Sequence, residues 1–104
     1  IYQRVQLEQR WDVIPGGESH DALGERLTKS LERIARHHPD QLVAAFVHGG
    51  VIAHILAHAT GARPFAFTGA DNGSISHIVM VEGRIMVRRF NDCSHLYEEM
   101  SVAA

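Results

Sequence analysis

Six consecutive apolar residues, Leu42-Val43-Ala44-Ala45-Phe46-Val47, run directly into His48-Gly49-Gly50 and then into the helix-like stretch from Val51 to Thr60. A run without polar alternation reads as a strand buried on both faces, the signature of a parallel sheet. An imidazole then stands at the C-terminal end of that strand, where open α/β sheets bind their ligands. Two glycines lead into a helix start, whose free amides attract anions such as phosphate. The context points to phosphate chemistry. A parallel strand also needs a neighbour on each side, and few other segments of this chain qualify.

The remaining pattern is α/β in order: helix, strand, helix, strand, strand. Residues 1–14 mix polar and apolar side chains, including Tyr2, Val5, Leu7 and Trp11, and predict a short helix or an irregular arm. Pro15-Gly16-Gly17 interrupts it. Ser19 is a suitable N-cap and Asp21 suits the first turn of the helix that follows. Leu23, Leu27, Leu31 and Ile34 recur at three- and four-residue steps, marking one apolar helical face. His37-His38-Pro39-Asp40 ends that helix. The second helix is predicted from about Gly50 to Thr60, with Gly61 as its C-terminal cap. Residues 61–73, with Pro64 and three glycines, read as a loop. Segments 74–81 and 84–90 flank Glu82-Gly83 and predict a β-hairpin. The tail after Asn91 reads as a short helix or coil.

Composition excludes more than it assigns. With 104 residues the chain holds one domain at most. A net charge of −2 gives no electrostatic reason to expect nucleic acid or an anionic membrane. No apolar run approaches the roughly 20 residues that cross a bilayer, and no signal segment is visible. The single Cys93 rules out an intrachain disulfide and suits a reducing cytoplasm. The first residue is Ile1 rather than methionine, which suggests a processed, cleaved or incomplete polypeptide.

Three groups of residues, taken in order and spacing, resemble the histidine phosphatase superfamily, the phosphoglycerate mutase-like proteins. They are Pro15-Gly16-Gly17-Glu18-Ser19 with Arg26 following, Val47-His48-Gly49-Gly50-Val51-Ile52, and Asn72-Gly73-Ser74-Ile75-Ser76 followed by Phe90-Asn91-Asp92 and His95-Leu96. The resemblance implies that residues 1–104 form the C-terminal part of a single histidine phosphatase domain. That fold is a three-layer α/β/α arrangement with a mostly parallel sheet and a β-hairpin. In such proteins a histidine in an N-terminal Arg-His-Gly motif attacks phosphorus. Two arginines and a second histidine surround the phosphoryl group, and an acidic residue from mid-chain protonates the leaving group. No Arg-His-Gly occurs here, and Arg36-His37-His38 is the nearest string. The resemblance therefore places the nucleophile, its arginines and the acid upstream of Ile1, so that the 104-residue chain alone would be inactive. Only the second histidine carries over, onto His48.

Elementary chemistry supports that assignment. Phosphoryl transfer needs positive charge positioned around the equatorial oxygens. An imidazolium at His48 beside the amides of Gly49 and Gly50 would supply part of it. The resemblance also brings Glu18, Ser19 and Asn72 to the substrate mouth. Read from the residues alone, Glu18-Ser19 is a helix cap, Arg26 a structural partner or a solvated charge, and Asn91, Asp92 and His95 turn-capping and tail-packing residues. The implied substrate is a small phosphorylated metabolite, handled without metal or organic cofactor. The implied partner is the missing N-terminal half or a second copy, with a non-catalytic interaction module as the competing reading.

Other chemistries find less support. His54 and His58 have a workable metal spacing on a helix, yet no third ligand is evident. A cysteine phosphatase loop on Cys93 would need arginine where Glu99 stands. Neither a Gly-x-Ser-x-Gly elbow nor a Walker-type loop is present.

Overall fold

A computed structural model of the chain describes residues 17–96 together with Arg4, Leu7 and Glu8. Those three upstream residues have helical backbone, and Arg4 pairs with Glu8 at 3.3 Å. The remaining expectations for residues 1–16, including the break at Pro15-Gly16, and for the tail beyond Leu96 lie outside the described residues.

Helix α1 spans His20–His37 and helix α2 spans Gly49–Thr60. Ser19 starts α1 with an extended backbone, and its Oγ accepts from the Ala22 amide at 3.1 Å. Arg36 and His37 occupy the last turn, where positive charge suits the helix dipole. The end of α2 is set by Gly61, whose φ of 70° lies in the left-handed region that glycine enters without steric cost. Ser19→Ala removes one amide's only acceptor in the first turn. A urea melt of the chain should show a loss of about 1 kcal/mol.

Strand β1 (Ile75–Val81) pairs antiparallel with β2 (Arg84–Asp92). Glu82 and Gly83 both take positive φ, 51° and 77°. That is the requirement of a type I′ turn, which matches the twist of the strands it joins. The register is regular from Ile78↔Val87 to Val81↔Arg84 and slips twice beyond it, before Ile75↔Asp92. In this irregular stretch Asn91 takes φ 57°, a left-handed value that asparagine tolerates better than most residues.

Helix α2 packs against both α1 and β2. The buried residues are Leu23 and Leu27 of α1 with Ala53, Leu56 and Ala57 of α2. Leu31 and Ile34 continue the α1 stripe but are only half-buried. On α2 the innermost face carries the two alanines and Leu56, while the larger Val51 and Ile55 remain half-buried. Phe67 meets Phe90 edge-on at 5.3 Å, joining the long loop to β2.

Two expectations need correction. The run 42–47 is not a strand: it lies outside regular structure, with Leu42 90% and Phe46 100% exposed. The sheet among the described residues is a two-stranded antiparallel hairpin, not a mostly parallel sheet in three layers. The cause is common to both. A strand exists only when a neighbour completes its hydrogen-bond ladder, and among the described residues β1 and β2 pair only with each other and no segment pairs with 42–47. No described helix is long and apolar enough to cross a membrane.

Candidate functional site

His48 is the N-cap of α2, with extended backbone at φ −80° and ψ 156°. Its carbonyl accepts from the amides of Val51 at 3.0 Å and Ile52 at 3.3 Å, which opens the helix. Its side chain makes no capping bond, and the residue is exposed. The amides of Gly49 and Gly50 begin the helix and so have no acceptor within it. No carboxylate stands in the first turn to occupy this positive end. An exposed imidazole, two amides without a helical acceptor and the positive end of α2 therefore fall within three consecutive residues.

The loop from Gly61 to Ser74 returns to this point. A Cβ on Gly49 would lie 4.0 Å from the Ala70 carbonyl, so Ala70 borders the His48-Gly49 turn. Asn72 follows in a turn closed by the Ser74 amide on the Asp71 carbonyl at 3.1 Å, with Gly73 at φ 79°. The Asp71 amide donates to Asn91 Oδ1 at 2.9 Å, and Asn91 Nδ2 donates back to Asp71 Oδ2 at 3.2 Å. The Asn91 amide donates to Ser76 Oγ at 3.2 Å. His95 Nε2 donates to the Gly73 carbonyl at 2.8 Å.

Cys93 sits beside this network, with its Sγ 3.6 Å from both Asp71 Oδ2 and Asn91 Oδ1. Burial and the Asp71 carboxylate push its thiol above the ordinary value. That is the reverse of what a thiolate nucleophile requires.

Glu18 and Ser19 occupy the start of α1. Ser19 serves as a cap, and the Glu18 carboxylate is gripped by the Arg26 guanidinium at 2.9 and 3.2 Å. The Arg26 fork holds the Glu18 carboxyl below the usual carboxylate range. The route from here to α2 runs through histidine. The His20 and His54 rings lie 4.6 Å apart, and His54 Nε2 occupies the space a Cβ on Gly24 would approach to 3.0 Å. Burial, then the neighbouring His20 and His58, hold His54 below the ordinary imidazole value, with Glu18 opposing.

The sign of the resulting pH dependence follows. Below the ordinary imidazole value the unfolded chain binds a proton that folded His54 resists, so stability falls as pH drops through that range. Glu18 and Asp92 have depressed carboxyls, Asp92 through the Ser94 amide first. Any stability they contribute is lost only at lower pH, as they protonate. Thermal midpoints across pH should therefore show a first decline between neutral and mildly acidic pH. His54→Gln should abolish that first decline and leave the more acidic one.

Comparison with known proteins settles the family. A model of the histidine phosphatase superfamily (branch 1) matches residues 2–93. The chain belongs to that superfamily. It is 32% identical over 85 residues to a metal-independent phosphoserine phosphatase of Arabidopsis thaliana, covering 82% of the chain and 35% of that relative. It is 33% identical over 90 residues to phosphoglycerate mutase-like protein 4 of the same plant, covering 84% of the chain and 38% of the relative. The chain thus spans little more than a third of the length of these curated relatives. No solved structure matches it.

Within this histidine phosphatase chain, the structure brings Gly49 and the Asn72 loop together and leaves Glu18 and Ser19 in a separate cluster. Among the described residues no bond joins that cluster to His48 or Gly49. The described residues contain no group of three or more His, Cys, Asp or Glu side chains able to hold a metal. Sequence reasoning gave Asn91, Asp92 and His95 turn-capping and tail-packing roles; Asp92 accepts from the Ser94 amide and His95 donates to the Gly73 carbonyl in that way, whereas Asn91 reaches 20 residues back to Asp71. It missed the pairing of Asn91 with Asp71 and of His20 with His54. The partners lie 20 and 34 residues apart, and no local pattern signals either pairing.

Proposed function

We propose that this chain supplies one wall of a phosphoryl-transfer site that works through a phosphohistidine on a small phosphorylated metabolite. The observation that carries the reading is the His48 imidazole, free of capping duty, beside the acceptor-less amides of Gly49 and Gly50. His48 stabilises charge on the equatorial oxygens as the bond from phosphorus to the leaving oxygen breaks. Gly49 donates from its amide, and Asn72 reaches the substrate from the adjoining turn. Glu18 and Ser19, held in their own cluster by Arg26 and the Ala22 amide, enter the proposal only as residues that the resemblance brings to the mouth of the site.

The nucleophilic histidine, its two arginines and the acid belong to a segment outside these 104 residues. Support comes from the absence of Arg-His-Gly in the chain and from the share of its relatives that it spans. On this reading the chain is the C-terminal part of a three-layer domain in the cytoplasm. In that domain the run 42–47 becomes a parallel strand between neighbours. The relative named as metal-independent favours chemistry without a metal. Its name and that of the mutase-like protein make phosphoserine and phosphoglycerate the first substrates to try.

The test compares the full-length protein with the 104-residue chain on both phosphomonoesters. The full-length protein should turn over and yield an acid-labile phosphoenzyme, and the chain should do neither. Robust turnover by the chain alone, or turnover of the full-length protein without a phosphohistidine, contradicts the proposal. The exposed apolar run favours a second reading, a non-catalytic interaction module, and a full-length protein inert toward both esters would support it.

A further inference from the structure

Asn91 touches neither His48 nor Gly49, yet it makes more of the bonds around the site than any other side chain. Its amide group closes a two-way clasp on Asp71, through the Asp71 backbone at 2.9 Å and the Asp71 carboxylate at 3.2 Å. Asp71 lies between Ala70, which borders Gly49, and Asn72, at the tip of the turn. The clasp is itself anchored, because the Asn91 backbone N–H donates to Ser76 Oγ of β1. His95 grips the far side of the same turn at the Gly73 carbonyl. The left-handed backbone of Asn91 turns its side chain out of the regular ladder, where the register slips.

We infer that Asn91 is a positioning residue, acting through Asp71 to hold the Ala70–Gly73 loop against Gly49 and so to place Asn72 over the phosphate site. The inference rests on the proposed function for its consequence but not for its geometry. A loop in this place would otherwise sample several conformations, and substrate binding would carry the cost of ordering it. The clasp orders it beforehand. Its loss should therefore appear in KM more than in kcat, because the groups that stabilise the transition state are untouched.

The informative variant is Asn91→Gly in the full-length protein. Glycine keeps the positive φ and removes only the side chain, separating the clasp from the backbone conformation. KM for phosphoserine should rise about three- to tenfold, the weight of one hydrogen bond, with kcat within about twofold. Asn72→Ala should raise KM similarly. The Asn72→Ala/Asn91→Gly double variant should be no worse than the weaker-binding single variant, since Asn91 acts by placing Asn72. Independently of turnover, the Gly49 and Asn72 amide resonances should shift in Asn91→Gly. Additive effects on KM, or unshifted amide resonances, overturn the inference. An inert full-length protein, or turnover unaffected by His48→Ala, defeats the proposed site instead. The amide resonances then still decide the role of Asn91 in holding the loop.

Discussion

His48→Ala in the full-length protein should lower kcat by about a hundredfold, the typical cost of removing one donor aimed at developing charge. KM should change far less, because a group that strengthens its bond only in the transition state contributes little to ground-state binding. The structure makes this an unusually clean substitution. In the 104-residue chain the imidazole is exposed and makes no capping bond, so His48→Ala should leave that chain's stability within about 0.5 kcal/mol of the parent, and a urea melt of the full-length variant separates lost folding from lost chemistry. A fall in kcat at constant stability is therefore chemical in origin. Turnover that survives His48→Ala unchanged removes this residue from the mechanism.

The second large effect concerns Phe46 and depends on which polypeptide carries the change. In the 104-residue chain Phe46 is 100% exposed, so Phe46→Ala should move the unfolding free energy by no more than about 0.5 kcal/mol. In the full-length protein the same change should cost about 3–5 kcal/mol, the range for emptying a buried aromatic site. That contrast follows from the proposal that neighbouring strands enclose the run 42–47 there. Urea melts of the two pairs measure it directly. A small effect in both would mean that the run is never a central strand.

What could be read from the sequence was what nearest neighbours decide. Ser19, Gly61 and Glu82-Gly83 fixed helix start, helix end and hairpin, because a cap or a turn needs only a few adjacent residues. The hairpin ran two residues past its expected end, to Asp92, since the irregular pairing around Asn91 carries the ladder onward. The run 42–47 failed as a strand for the opposite reason: its hydrophobicity describes a preferred environment, and that environment must come from other segments. The site divides in the same way. His48 at a helix start was legible because strand-like run, histidine and glycines are contiguous. The Asn91–Asp71 clasp and the His20–His54 contact were not, because each forms only once the chain has folded back on itself.

The Glu82-Gly83 turn has a practical use that follows from its position. It closes the end of the hairpin opposite Asn91, and β1 alone spans seven residues. At about 3.4 Å per residue, the tip lies roughly 20 Å along the strands from the Asn72 loop. Both turn residues are exposed, and nothing lies within 4 Å of where a Cβ on Gly83 would be. Exposed tips of this kind accept insertions readily. A fluorophore or an affinity handle spliced between Glu82 and Gly83 would report on the protein while leaving His48 and its surroundings as they are.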